Sequence, residues 1–80
     1  MRKYTHENEL ELVICNGCGR HLLVEDGILK EDILEGEKVF GYFSQKDGTV
    51  ERFDLCEECY ERLTAGFAVP VEESEQLELL

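Results

Sequence analysis

The stretch FDLCEECYERL, residues 53–63, decides the fold because it places two cysteines three residues apart at the start of a predicted helix. Asp54, followed three residues later by Glu57, has the pattern of a capping box and predicts a helix that begins just after Asp54. Cys56 and Cys59 then share one face of its first turns. Free backbone N–H groups and the positive end of the helix dipole favour thiolates there.

A second pair lies upstream, in the stretch Cys15-Asn16-Gly17-Cys18-Gly19. Two C-x-x-C pairs have the spacing of a tetrahedral thiolate site, because two intervening residues let both sulfurs of a pair reach one ion. The glycines suit a tight turn, which predicts a zinc knuckle. The sequence therefore predicts a structural Zn²⁺ site with four ligands: Cys15, Cys18, Cys56 and Cys59.

Between the pairs, KVFGYFSQKDGTVERFDL, residues 38–55, predicts a β-hairpin with a two-residue turn at Asp47-Gly48. A turn this tight would put two sets of side chains on opposite faces of the hairpin. The set facing the helix would be Phe40, Tyr42, Phe53 and Leu55, and the opposite set Val39, Phe43, Val50 and Arg52. A longer loop would change the register.

The opposite face is either covered by the apolar residues of segment 22–34 or left exposed for a partner or a second copy of the chain. Within that segment, the spacing of the apolar residues in ILKEDIL, residues 28–34, favours a short helix over a strand.

A knuckle, a hairpin and a helix that carries the second cysteine pair resemble the treble-clef or zinc-ribbon-like zinc finger superfamily over about residues 10–67. The stretch GYFSQKDGTVERFDLCEECY, residues 41–60, also resembles small uncharacterised bacterial zinc-binding proteins. The resemblance implies a small zinc-stabilised α+β domain with the four cysteines as ligands. It implies no activity, since treble clefs serve many unrelated tasks.

Three segments are predicted along the chain. Residues 1–9 form a flexible N-terminus, residues 10–71 the zinc-binding domain, and residues 72–80 an acidic tail with leucines. The tail is either frayed or a docking segment.

The paired C-x-x-C motifs are also similar to those of rubredoxins, which are small acidic proteins that hold iron for electron transfer. Gly19 follows Cys18 as in a rubredoxin knuckle, but Tyr60 follows Cys59, and neither pair contains the usual proline. A rubredoxin-like iron electron carrier is therefore the alternative to a zinc domain.

The net charge of the chain limits the kinds of partner that are expected. Nineteen acidic residues oppose eight basic ones, which gives a formal net charge of −11. This charge repels phosphate backbones and anionic lipid surfaces, so a nucleic-acid-associated zinc module is disfavoured and no membrane partner is expected.

No apolar run has the length of a signal peptide or a membrane span. We therefore predict a cytoplasmic protein, where reduced thiols favour metal binding over disulfides.

No enzymatic activity is predicted. Four cysteine ligands leave no open coordination position for water, and no spacing singles out a pair of carboxylates for acid–base chemistry. Of the two histidines, His21 is expected on the surface and His6 in the flexible N-terminus. The predicted function is a non-catalytic structural-zinc domain that serves as a protein-interaction or adaptor module. Its partner would be another protein, or a second copy through an exposed hairpin face.

Overall fold

The computed structural model describes residues 1–76, which form seven short strands and one helix. The strands make three antiparallel sheets, β1-β2-β3, β4-β5 and β6-β7. Residues 72–76 of the predicted tail have no regular structure, and residues 77–80 lie outside the described residues. The element bounds are β1 Arg2–Tyr4, β2 Leu10–Ile14, β3 His21–Leu22, β4 Val24–Glu25, β5 Ile28–Leu29, β6 Ile33–Val39, β7 Val50–Cys56 and α1 Glu57–Ala65.

The first sheet includes part of the segment that was predicted to be flexible. Strand β1 pairs with β2, with Arg2 opposite Val13. The turn between them is stabilised by Thr5, whose Oγ1 accepts hydrogen bonds from the N–H groups of Glu7 and Glu9. Residues 2–4 are therefore part of the sheet, because β2 offers them an edge with which to pair. The boundaries predicted for the zinc-binding domain stay a prediction.

The helix predicted for residues 28–34 is wrong. Asp26 and Gly27 both have positive φ, 51° and 76°, and form a two-residue turn that joins β4 to β5. The residues after β5 start β6 instead, with Ile33 paired to Cys56. Strand pairing therefore overrides the apolar spacing, because backbone hydrogen bonds to β4 and β7 are available to these residues.

The central hairpin forms, but with a different first strand and a longer loop than predicted. Strand β6 pairs with β7 from Ile33 opposite Cys56 to Val39 opposite Val50. Residues 40–49 form the connecting loop, so Asp47-Gly48 is not a two-residue hairpin turn. Val39 and Val50 share a face as predicted, but the predicted faces are wrong for Phe40, Tyr42 and Phe43, which lie in the loop. Because the register differs from the predicted one, the residue opposite Phe53 on the neighbouring strand is Gly36.

Helix α1 follows β7 without a loop, and its N-cap is Cys56, which makes no side-chain capping bond. The capping box predicted at Asp54 and Glu57 is therefore wrong: Asp54 lies on β7, buried and bonded elsewhere. The helix ends at Gly66, which is the C-cap and whose N–H donates to the carbonyl of Leu63.

The core is very small and lies where β2, β3, β7 and α1 meet. Among the described residues, five apolar side chains are buried, and three of them are cysteines. A partly buried apolar layer surrounds them. The buried set is Val13, Cys15, Leu22, Cys56 and Cys59, and the surrounding layer Leu10, Val24, Leu29, Ile33 and Leu55.

Candidate metal centre

The four cysteines lie together at one point of the fold. All four thiols are free, and their sulfur atoms all lie within 4.8 Å of one another. Sγ of Cys18 is 3.9 Å from Sγ of Cys56. Four sulfurs in a tetrahedron around zinc, each about 2.3 Å from it, would be about 3.8 Å apart. The observed spacing therefore suits one metal ion, and the four residues predicted as its ligands are brought together.

The first pair lies in the turn between β2 and β3. The N–H of Cys15 donates to the carbonyl of Arg20, and the N–H of Gly19 donates to the carbonyl of Cys15, both at 2.9 Å. Gly19 has a φ of 78°, which a residue with a side chain rarely adopts. Gly17 is needed for space, since a Cβ at this position would lie 2.9 Å from Sγ of Cys59. Gly19 thus permits the tight turn of the predicted knuckle, and Gly17 lets the two pairs approach each other.

The second pair lies at the junction of β7 and α1. Cys56 is the last residue of β7 and the N-cap of the helix, and Cys59 is in its first turn. Cys15 and Cys56 are each 1% exposed and Cys59 8%, whereas Cys18 is exposed. Three of the four sulfurs are therefore shielded from water, and the site is open on the side of Cys18.

Backbone N–H groups stabilise negative charge on one buried sulfur. Burial opposes ionisation of Cys15, but the N–H groups around it, chiefly that of Cys56, lower the pKa of Cys15 to about 6. The N–H groups of Cys56 and Gly17 each donate to its Sγ at 3.3 Å. Burial and the neighbouring thiols raise the pKa of Cys59 to about 12. Without a cation, four thiolates would repel one another here, so the cluster needs a positive ion to ionise fully.

Asn16 and Asp54 hold the knuckle against β7, a role that the sequence did not reveal. The side-chain oxygen of Asn16 accepts a hydrogen bond from the N–H of Asp54 at 2.9 Å. In return, the N–H of Asn16 donates to the carbonyl of Asp54 at 2.7 Å. The sequence feature that could have indicated this role is an Asn between the two cysteines of the first pair, because Asn side chains often form hydrogen bonds with backbone groups in turns.

The Asp54 side chain has a separate set of partners. It is 6% exposed and lies beside the guanidinium of Arg2, with the shortest N···O distance 3.1 Å. The α-amino group of Met1 lies 3.2 Å from its other oxygen. Burial raises the pKa of Asp54, but the hydrogen bonds and charges of these two groups outweigh burial and hold it below the usual value. Asp54 is therefore a charged group that ties β1 to β7 beside the cysteine cluster.

Arg20 places a positive charge next to the cysteines. It forms an ion pair with Glu31 at 2.8 Å, and the Glu31 carboxylate together with the nearby Cys56 thiol raises its pKa. Glu31 also accepts a bond from the N–H of Leu23 at 2.6 Å. A cation here offsets part of the negative charge that four thiolates and one divalent ion would carry.

The histidines lie outside the cysteine cluster. His21 is an exposed residue of β3, opposite Ile14, and His6 is exposed in the turn after β1. Among residues 1–76, the one group of side chains placed to hold a metal consists of the four cysteines. Four thiolates in this arrangement suit zinc or iron. Within residues 1–76, no helix has the length and apolar character needed to cross a membrane.

Fold and site together define a small α+β domain with antiparallel strands, one helix and a four-cysteine cluster consistent with metal binding. Compared with protein-family models, with curated proteins and with solved structures, the chain matches none of them.

Proposed function

We propose that this chain is a non-catalytic domain built around one structural Zn²⁺ and that it serves as a protein-interaction or adaptor module. The observation that carries the zinc assignment is the convergence of four cysteine sulfurs within 4.8 Å. When bound, zinc would supply a fixed tetrahedral cross-link between the knuckle and the start of α1.

A structural role follows from the number and kind of ligands. Catalytic zinc usually has three protein ligands and an open position for water, whereas four thiolates fill the coordination sphere. The cysteines also form most of the buried core. The ion would thus stabilise the fold in the way that a larger apolar core does in other domains.

The finer assignment is to a treble-clef type of zinc finger. Its support is local: one ligand pair lies in a glycine-containing turn between two strands, and the other lies at the start of a helix. Rubredoxin-like iron binding is the competing assignment. A helix that begins at the second pair argues against it, because rubredoxins use a second knuckle there.

The proposed interaction role is supported by apolar side chains exposed on the surface. Several large apolar side chains are exposed, and Phe43, 99% exposed, is the extreme case. Exposed aromatic residues are common anchors in protein interfaces. With a net charge of −11, a protein partner is favoured over nucleic acid or membrane. Thiolate ligands also favour a reducing compartment such as the cytoplasm.

Metal analysis of the purified protein tests the zinc assignment. We expect a colourless protein with one zinc per chain, and we expect Cys56→Ser to lose the metal. Thr64→Ser is the matched control, because it also leaves a hydroxyl group on the helix but lies outside the cysteine cluster. A red protein that contains iron would support the rubredoxin-like alternative, and a protein without metal would refute both assignments.

Cross-linking mass spectrometry in cells tests the interaction role. We expect cross-links from the hairpin to one recurrent protein, and we expect Phe43→Ser to remove them while the zinc content stays unchanged. Cross-links that do not depend on Phe43 would contradict the use of this surface.

A further inference from the structure

The four clustered cysteines are not equally accessible to solvent. Cys15, Cys56 and Cys59 are buried, whereas Cys18 is exposed. Cys18 lies in the turn between β2 and β3, and residues 16–20 of this turn are all exposed. Oxidation of a cysteine depends on its exposure and on its thiolate character. A small oxidant dissolved in water therefore reaches Cys18 before the three buried thiols.

Hydrogen bonding also distinguishes the two sulfurs of the first pair. Sγ of Cys15 accepts hydrogen bonds from the N–H groups of Gly17 and Cys56, both at 3.3 Å. Among residues 1–76, no backbone N–H donates to Sγ of Cys18. Hydrogen bonds to an ionised acceptor stabilise its charge, and a thiolate stabilised in this way is less ready to attack an electrophile. Sγ of Cys18 is therefore the more nucleophilic sulfur of the pair.

A second sulfur lies within reach of Cys18. Sγ of Cys56 is 3.9 Å away, and a disulfide bond is about 2 Å long, so the two sulfurs need to approach each other by about 2 Å. Cys56 is held in place, because it pairs with Ile33 in the hairpin and its N–H donates to Sγ of Cys15. The movement therefore falls on Cys18, which lies in an exposed turn.

The other two sulfurs are less suited to react with an oxidised Cys18. Sγ of Cys15 already accepts two N–H hydrogen bonds. Sγ of Cys59 lies close to Gly17, since a Cβ on residue 17 would be only 2.9 Å from it. Cys56 is therefore the favoured partner, and the resulting bond would join the two C-x-x-C pairs to each other.

We propose that Cys18 is an oxidation site at which hydrogen peroxide converts the zinc-bound domain into a zinc-free form with a disulfide between Cys18 and Cys56. This proposal rests on the proposed function, because it assigns a means of regulation to the same cysteine cluster. When bound, zinc would keep Cys18 in the thiolate form at neutral pH, and the thiolate is the form that reacts with peroxide.

The oxidation proceeds in two steps. Sγ of Cys18 attacks one oxygen of hydrogen peroxide, the O–O bond breaks and hydroxide leaves, which gives a sulfenic acid on Cys18. Sγ of Cys56 then attacks the oxidised sulfur, the S–O bond breaks and a second hydroxide leaves. Two thiolates thus give two electrons to one peroxide, and both hydroxides take up protons from solvent to become water.

The disulfide removes two of the four metal ligands. Thiolates bind zinc, whereas the sulfurs of a disulfide carry no charge, so only Cys15 and Cys59 remain as ligands. Zinc is then released, and the domain loses the ion that would stabilise its small core. A dithiol reductant such as dithiothreitol breaks the disulfide by thiol–disulfide exchange and restores both thiolates. The exposure of Cys18 would therefore set the sensitivity of a reversible switch.

Histidine substitutions test which cysteine is attacked. Histidine is a common zinc ligand that forms no disulfide, so Cys18→His and its matched control Cys59→His each leave three cysteines and one histidine, a set found in structural zinc sites. Full-length, zinc-loaded proteins are treated with hydrogen peroxide, and a chromophoric chelator reports the zinc released.

We expect Cys18→His to slow zinc release by at least ~10-fold, because the exposed thiolate is gone. We expect Cys59→His to release zinc no more slowly than the wild type, because both Cys18 and Cys56 remain. A Cys18→His variant as sensitive as the wild type, or equal protection by the two substitutions, would overturn the proposal.

Mass spectrometry of the wild-type protein covers the case in which a histidine variant does not fold or bind zinc. After treatment with less peroxide than protein, we expect the first disulfide to join Cys18 and Cys56. We expect dimedone, which traps sulfenic acids, to label Cys18 first. A first disulfide between any other two cysteines, or a first label on a buried cysteine, overturns the proposal.

Zinc content separates failure of this proposal from failure of the proposed function. In a parallel sample, dithiothreitol and added zinc should restore one bound zinc per chain after oxidation. A protein that holds one zinc per chain and keeps it in peroxide refutes only the oxidation site. A protein that is purified without zinc refutes both proposals.

Discussion

At the scale of single residues, Gly17 determines how closely the two cysteine pairs approach. A Cβ at this position would meet Sγ of Cys59 at 2.9 Å, Cβ of Cys59 at 3.1 Å and Cδ2 of Leu55 at 3.2 Å. The contact with the sulfur is shorter than ordinary packing allows, and a sulfur that held the proposed zinc could not move away without changing the coordination geometry. Gly17 is therefore required by space, whereas Gly19 is required by its backbone conformation.

We predict that Gly17→Ala weakens zinc binding by about 10- to 100-fold, since overpacking costs about 1–3 kcal/mol. Competition with a chromophoric chelator measures this affinity. Gly41→Ala is the control, because nothing lies within 4 Å of the added methyl group. Equal affinities for the two variants would show that the knuckle can shift to admit a side chain.

Asp54 is the other residue whose surroundings define a role, which is to form a buried ion pair that ties β1 to β7. We predict that Asp54→Asn destabilises the zinc-loaded protein by about 1–3 kcal/mol, because Arg2 and the α-amino group of Met1 both lose the buried carboxylate that they contact. Urea unfolding followed by circular dichroism measures the free energy of unfolding.

Glu51→Gln is the control for Asp54. It breaks the exposed ion pair between Lys46 and Glu51 and should cost less than about 1 kcal/mol. A loss for Asp54→Asn as small as that for Glu51→Gln would mean that the Arg2 contact contributes no more than a surface pair.

At the scale of secondary-structure elements, the hairpin β6-β7 is stabilised by an aromatic side chain that covers a glycine. Gly36 lies opposite Phe53, and the Phe53 ring occupies the space where a Cβ on residue 36 would be. A glycine within a strand weakens the strand, but an aromatic ring from the neighbouring strand can compensate by covering its backbone. The pair therefore helps a two-stranded ribbon, which is marginal on its own, to keep its register.

We predict that Gly36→Ala destabilises the protein by about 1–3 kcal/mol, because the new methyl group must displace the ring. In a Phe53→Leu background the same substitution should cost less, since the smaller side chain leaves room. A double-mutant cycle on the free energies of unfolding gives this coupling. Additive effects of the two substitutions would contradict the contact.

At the scale of the whole molecule, the protein buries little apolar surface. Its Cα radius of gyration is 15.7 Å, whereas a compact domain of this length has a radius of about 12 Å. Within residues 1–76 the buried apolar set contains only Val13 and Leu22 apart from the cysteines. The apolar core alone is therefore too small to hold the three sheets together.

We predict that removal of zinc with a chelator unfolds the protein and abolishes most of its circular dichroism signal. Structural zinc contributes roughly 10–16 kcal/mol in comparable peptides at neutral pH, which is as large as the net stability of a typical domain. Adding zinc back should restore the spectrum, whereas adding magnesium, which prefers oxygen ligands, should not. An unchanged spectrum in the chelator would show that the fold does not depend on metal.

The features that the sequence by itself determined are local ones. The four clustered cysteines could be predicted because two residues between the members of a pair suffice to bring two sulfurs to one ion. The turn at Gly19 likewise depends on the conformations of a few neighbouring residues. The geometry of each pair and of the turn depends on residues within about five positions of one another, whereas the joining of the two pairs at one ion was inferred from the presence of two C-x-x-C motifs in one chain.

The tertiary structure alone decided the features that depend on distant partners. The register of the hairpin follows from the pairing of Ile33 with Cys56, and a strong Asp-Gly turn signal at residues 47–48 could not override it. Asp54 resembles a helix cap locally, but its side-chain partner Arg2 lies 52 residues away and its backbone partner Asn16 lies 38 residues away. Contacts across such separations form only when the whole chain has folded, and no local pattern encodes them.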